Sequence, residues 1–260
     1  GTGYVGGLFG MFDIPDGENN ETLIVTLNAN DGQVTCSKNY VGGLIGYVEG
    51  TKYTWNAGYS SAIAYVKILD CTNEADVIGA DYVGGIIGGT GLYLSEISYC
   101  SSIGDISGNN YVGGYAGKAD GTSINELTNN NTITGRSYVG GIAGYAGKCY
   151  SCENNGTIVN KSYAIVNNTQ AISYIGGIAG YATGAEECVN NSNINASTGG
   201  DYVGGIVGFL MAERSSANVV RNNKNHGNII GTGYVGGLIG TFDIKEGQNN
   251  ETLEIASNTN

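Results

Sequence analysis

One histidine, one proline and eleven Lys or Arg residues are all that these 260 residues hold of those types. The lone histidine, His226, excludes a His-x-x-x-His zinc centre within the chain. It would have to serve alone in any Cys–His or Ser–His–Asp arrangement, and no Gly-x-Ser-x-Gly elbow accompanies it. Lying in the Asn-rich run 222–227, it reads as a turn residue. The few cations stand against 23 Asp and Glu, a net charge of −12. Phosphates need clustered Lys and Arg, so nucleic acid is not an expected partner. Anionic lipid surfaces are disfavoured for the same reason. No apolar run approaches the roughly 18 residues of a membrane span. Sustained 3.6-residue periodicity is missing as well, which leaves little room for helix.

Glycine is abundant, with 46 residues, and so is tyrosine, with 19. Gly-rich chains are often flexible linkers, but 41% hydrophobic content and glycines at fixed places argue for a packed structure. The heptapeptide Tyr-Val-Gly-Gly-Leu/Ile-x-Gly recurs eight times, starting at Tyr4, Tyr40, Tyr82, Tyr111, Tyr138, Tyr174, Tyr202 and Tyr234. Two copies vary, with Ile175 for Val and Tyr115 for the aliphatic residue. Spacings of 36, 42, 29, 27, 36, 28 and 32 residues suggest a fixed coil with loops inserted at some turns.

Upstream of the motif a small apolar residue is followed six positions later by Ile or Val. The pairs are Cys71 and Val77, Cys100 and Ile106, Leu127 and Ile133, Cys152 and Ile158, Cys188 and Ile194. Apolar and polar residues alternate here with the period of a strand. Short strands separated by Asn/Gly turns, at a period near 28, predict an all-β parallel β-solenoid (a β-helix) of about eight coils. Stacked coils share one core and place identical residues in ladders about 4.8 Å apart. A β-propeller is the runner-up, for which 27 residues make a short four-stranded blade.

Asn-x-Gly-x-Ile-x-Gly followed by Tyr-Val-Gly-Gly-Ile-x-Gly resembles the GLUG-motif repeats of bacterial and archaeal surface proteins. The nearest copies are Gly104-Asp105-Ile106-Ser107-Gly108 before Tyr111, and Asn155-Gly156-Thr157-Ile158 before Tyr174-Ile175-Gly176-Gly177. The resemblance covers essentially the whole chain. It implies adhesins, surface stalks or non-catalytic regions of secreted peptidases, an extracellular or cell-surface location, and no conserved active site. The long spacings after Tyr4, Tyr40 and Tyr138 depart from the family period, so no loop function carries over.

A longer repeat overlies the short one. Residues 1–30 align without gaps on residues 231–260, through Gly1 to Leu8, Phe12 to Ile14 and Asn19 to Leu23. The chain thus reads as a single array over 1–260, made of one cassette, 1–230, and the start of the next, 231–260. The opening at Gly1 falls inside a repeat, as in a piece of something longer.

Candidate sites are few. Tyr53, Trp55 and Tyr59, in the longest unit, could hold a glycan or a partner protein, since exposed aromatics often do. That unit is expected to protrude from the solenoid wall. Sequons at Asn20, Asn130, Asn155, Asn160, Asn167, Asn190, Asn195 and Asn250 permit N-glycosylation. Asp13, Asp16, Glu18 and Glu21, echoed by Asp243, Glu246 and Glu251, form an oxygen-rich loop open to calcium but without EF-hand spacing. No cofactor is otherwise implied. Cys149-x-x-Cys152 is a single pair, too little for zinc, and Cys71, Cys100, Cys152 and Cys188 read as a reduced core ladder.

The expected function is non-enzymatic: a structural or adhesive segment, a fibre or stalk of tandem cassettes, with a glycan- or protein-binding module as the alternative. A β-helical polysaccharide-degrading enzyme would need a charged constellation on successive coils, where this chain ladders Tyr, Val, Gly and Ile. Ile86, Tyr115, Ile142, Ile178 and Ile206 should form an interior ladder. Tyr and Val are adjacent in the motif and must face opposite ways, so one of them packs outside the main core. Neither end shows a polar cap, so stacking onto neighbouring cassettes or onto copies of the chain, head to tail, is expected.

Overall fold

Eight copies of one motif give eight rungs of one stack. The computed structural model describes residues 3–13, 22–49, 65–91, 94–161, 172–212, 218–244 and 253–260. Among the described residues every strand pairing is parallel, and each inner rung pairs with the rungs before and after it. The fold is a parallel β-solenoid. The motif itself builds an eight-stranded sheet from Val5–Gly6 to Tyr234–Gly236, in which Val41, Val83, Val112, Val139, Ile175, Val203 and Val235 follow in strict register. A fourteen-stranded sheet carries the wide wall, where many rungs contribute two strands, as Ile45–Glu49 and Tyr65–Leu69 do. Short strands bearing Asn, such as Thr72–Asn73, and strands bearing Ile or Val, such as Val77–Ile78, close each coil.

One corner repeats in every rung. Leu27, Asp70, Tyr99, Glu126, Ser151, Glu187, Asn222 and Ser257 all adopt φ of 49 to 57°. A left-handed non-glycine residue costs roughly 1 kcal/mol, which the paired rungs on either side sustain. Tyr40, Tyr82, Tyr111 and Tyr138 also take φ of 53 to 59°. Each of these rings stacks on the outer side while the following Val is buried.

The interior holds two cores. The larger contains Ile86, Tyr115, Ile142, Ile178 and Ile206, all at most 1% exposed, so the expected ladder is interior. The position after it, variable in sequence, is equally buried in the inner rungs at Ile45, Ile87, Ala116, Ala143, Ala179 and Val207. The smaller core consists of the motif Val row facing Val34, Val77, Ile106, Ile133, Ile158 and Ile194. The Val side of the motif therefore packs into a second core rather than the main one.

A polar row stands between the two cores. Asn73 follows Cys71 of the larger core and precedes Val77 of the smaller one. Its carboxamide crosses the coil to Gly43, where a Cβ would overlap it and the Gly85 carbonyl. The same contact recurs between Gly141 and Asn154, Gly177 and Asn190, and Gly205 and Asn225. This is why the motif needs its second glycine. The buried carboxamides bond along the axis: Asn30 donates to Asn73 at 2.9 Å, Asn129 to Asn154 at 2.7 Å, Asn154 to Asn190 at 2.8 Å, Asn190 to Asn225 at 2.8 Å. A buried amide left unpaired costs about 1–3 kcal/mol, so the row persists only because it is satisfied. Ser102 interrupts it, and its hydroxyl is buried without a partner among the described residues.

Candidate functional site

The outer surface of the motif sheet carries a column of tyrosines. Tyr40 and Tyr82 stack with ring centroids 4.4 Å apart, Tyr82 and Tyr111 at 4.6 Å, Tyr111 and Tyr138 at 4.3 Å. Tyr174, Tyr202 and Tyr234 extend it at about 5 Å. A second column beside it joins Tyr145, Tyr181 and Phe209 at 4.3 and 5.3 Å. Stacked rings cover one another's faces and turn their edges and hydroxyls to solvent. Sugars grip aromatic faces, so the column offers them little along its length. Burial, reinforced by Tyr82 and Tyr4, pushes the Tyr40 phenol up to about 12. Burial raises Tyr111 and Tyr174 as well.

All six cysteines are free thiols, and five of them are buried. Cys71, Cys100, Cys152 and Cys188 occupy one corner of their rungs, with Leu127 in that place on the rung between Cys100 and Cys152, and each thiol donates to backbone carbonyls such as those of Leu69, Ser98, Tyr150 and Glu186. Cys149 joins them inside because the left-handed Ser151 turns the chain between the two cysteines. Burial pushes the Cys149 and Cys188 thiols well up, which keeps them protonated. Among the described residues no group of three or more His, Cys, Asp or Glu could hold a metal ion. Asp13 and Asp243, the described members of the acidic loop, are exposed, while Asp16, Glu18, Glu21, Glu246 and Glu251 lie outside the described residues.

Tyr53, Trp55 and Tyr59 also lie outside the described residues, as do Asn20, Asn167 and Asn250. The remaining sequons divide sharply. Asn130, Asn155 and Asn195 are exposed. Asn190 is fully buried in the carboxamide row, and Asn160 is 9% exposed and donates to the Arg136 carbonyl. Both amides are packed within the folded chain. His226 is exposed in its turn, where its backbone N–H donates to the Asn190 carbonyl at 2.8 Å.

The terminal rungs of the described stack present what inner rungs hide. Phe9 is 38% exposed where its partner Ile45 is fully buried, and Val235 is 44% exposed where Val203 is fully buried. Phe242 and Ile255 are 53% and 50% exposed beside the fully buried Leu210 and Val220. Compared with known proteins, the chain matches no family model, no curated protein and no solved structure.

Proposed function

We propose that this chain is a non-enzymatic structural segment of an extracellular or cell-surface protein, of the GLUG-repeat kind, that builds a stiff stalk or fibre by stacking rung on rung. The observation that carries the reading is the pairing of the 230-residue repeat. The described residues among 5–30 bond to the rung after them, and the described residues among their near-copies, 235–260, bond to the rung before them. One sequence thus pairs on both of its edges. The apolar positions exposed at the two terminal rungs are those a further rung would cover, and an open strand edge invites such pairing. The occupant is a neighbouring cassette or a second copy of the chain, met head to tail. Repeated heterologous contacts of this sort give a filament when the rotation does not close.

Light scattering over a concentration series, followed by electron microscopy, tests this. Unbranched filaments with an eight-rung repeat, about 38 Å at about 4.8 Å per rung, are the expected result. Val235→Lys with Phe242→Lys places charge on one end and should hold the chain monomeric while it stays folded. Monomers at every concentration, or filaments indifferent to the two lysines, would overturn the proposal.

A further inference from the structure

We infer that a groove on the outer side of the fifth and sixth rungs is a binding site for a neutral saccharide. The groove has a volume of about 650 Å³, within the roughly 300–1,000 Å³ usual for small-ligand sites. Its floor is a parallel strand pair, Ile158–Asn160 and Ile194–Asn195, with Val159 opposite Asn195. Its wall has a cause in sequence. From Ile194 to Tyr202 the chain runs three residues longer than from Ile106 to Tyr111 or Ile133 to Tyr138. The excess forms a turn over residues 197–199. Thr198 pins that turn across the groove by donating to the carbonyl and carboxamide oxygens of Asn160, at 3.3 and 3.4 Å.

The lining determines the ligand class. Asn193 accepts from the Asn228 N–H at 2.8 Å and Asn195 from the Ser197 N–H at 3.2 Å. Both bonds fix a carboxamide oxygen, and among the described residues neither amino group has an acceptor. The Thr157 and Ser197 hydroxyls are likewise unengaged. Two amide donors and two hydroxyls therefore converge around the half-exposed isopropyl of Val159. No charged side chain lines the groove. A phosphate or carboxylate would find no cation, in a chain of net charge −12. A cationic ligand would find no carboxylate. An apolar one would strand four polar groups, each at a desolvation cost. A neutral sugar matches them all, since its hydroxyls donate and accept and its C–H face suits valine. The inference is independent of filament formation.

Asn195 heads the sequon Asn195-Ala196-Ser197, so the sugar could arrive free in solution or attached at this amide. The full chain made in a bacterial host carries no such glycan and is the first probe. Its Asn193 and Asn195 side-chain amide signals are followed by NMR during titration with glucose, galactose, mannose and N-acetylglucosamine, with glucuronate as the charged control. Saturable shifts with at least one neutral sugar are expected. Thr157→Val with Ser197→Ala, at exposed positions, should weaken that binding about ten-fold, the loss of roughly one good hydrogen bond, with an unchanged melting temperature. No saturable shift with any neutral sugar, a stronger response to glucuronate, or a double variant that binds as before would overturn the inference. In a glycosylating host, occupancy of Asn195 together with loss of free-sugar binding would identify the attached glycan as the source. An unmodified Asn195 with binding retained would identify the free one.

Discussion

The two cores on either side of the carboxamide row follow different rules. In the smaller one each inner rung contributes a motif Val or Ile and one facing Val or Ile, and the pair hardly changes from Val41 and Val77 to Ile175 and Ile194. In the larger one the adjacent pair reads Leu44-Ile45, Ile86-Ile87, Tyr115-Ala116, Ile142-Ala143 and Ile206-Val207. Two side chains confined between a glycine pair and a turn have nowhere to send extra volume. Where several positions per rung share a wall, a large residue at one is offset by a small one at the next. Sequence monotony in this chain is therefore a measure of confinement, and variation marks shared volume.

The partition itself offers the largest test. Gly141→Ala puts a methyl into the Asn154 carboxamide and the Gly177 carbonyl. Neither can yield without breaking a ladder, so denaturant unfolding should show a loss of at least about 3 kcal/mol. A loss under about 1 kcal/mol would mean that the partition is soft and the two cores are one. Next in size is a direct contrast of volume tolerance. Val139→Leu adds a methylene to the smaller core and should cost about 2 kcal/mol, whereas the same addition in the larger core, Val207→Leu, should cost under about 1.5 kcal/mol. Equal costs would erase the distinction.

A smaller effect concerns the one rung where the partition fails. Ser102 replaces Asn in the row, and nearby the oversized Tyr115 sends its hydroxyl to the Thr128 carbonyl at 2.8 Å. The two departures read as one exchange of volume. Ser102→Asn and Tyr115→Ile should each destabilise, and the double variant should recover about 1 kcal/mol relative to their sum. Strict additivity would show two unrelated substitutions. The smallest effect lies on the outer skin of the smaller core. Tyr40 ionises at about 12 in the folded chain, against about 10 when unfolded. The folded state holds its proton longer, so the stability it contributes is complete below about pH 10 and lost as pH rises toward about 12. Melting curves should show that fall, and Tyr40→Phe should lessen it, the remainder coming from the other raised phenols such as Tyr111 and Tyr174.

Much of this architecture is written in local spacing. The heptapeptide gave its rungs, and the aliphatic position after Gly-Gly gave the interior ladder, because both repeat within one coil. Asn ladders fit a solenoid, but that this row faces inward is hidden for a physical reason. Asn73 meets Gly43 across the coil from 30 residues away, and an Asn beside a Gly-containing turn looks like an exposed turn residue. Asn190 accordingly reads as a sequon when it is a buried rung. Cys149 was missed similarly: strand alternation alone does not anticipate the left-handed Ser151 that brings both cysteines of the pair inside. The groove over the fifth and sixth rungs left only a faint trace, the three extra residues before Tyr202.

The carboxamide row has a direction. In each described link the earlier Asn donates and the later accepts, from Asn30 to Asn73 and from Asn129 through Asn154, Asn190 and Asn225 to Asn260. Neighbouring strand dipoles in a sheet largely cancel, but aligned side-chain amides add, and each polarises the next. The rod is thus an electrical dipole, with its positive pole toward Asn260 and its negative pole toward Asn30. Two such rods attract when the amide hydrogens of one meet the amide oxygens of the next, and repel when like poles meet. A filament grown from them would carry that orientation along its whole length, giving it chemically distinct ends.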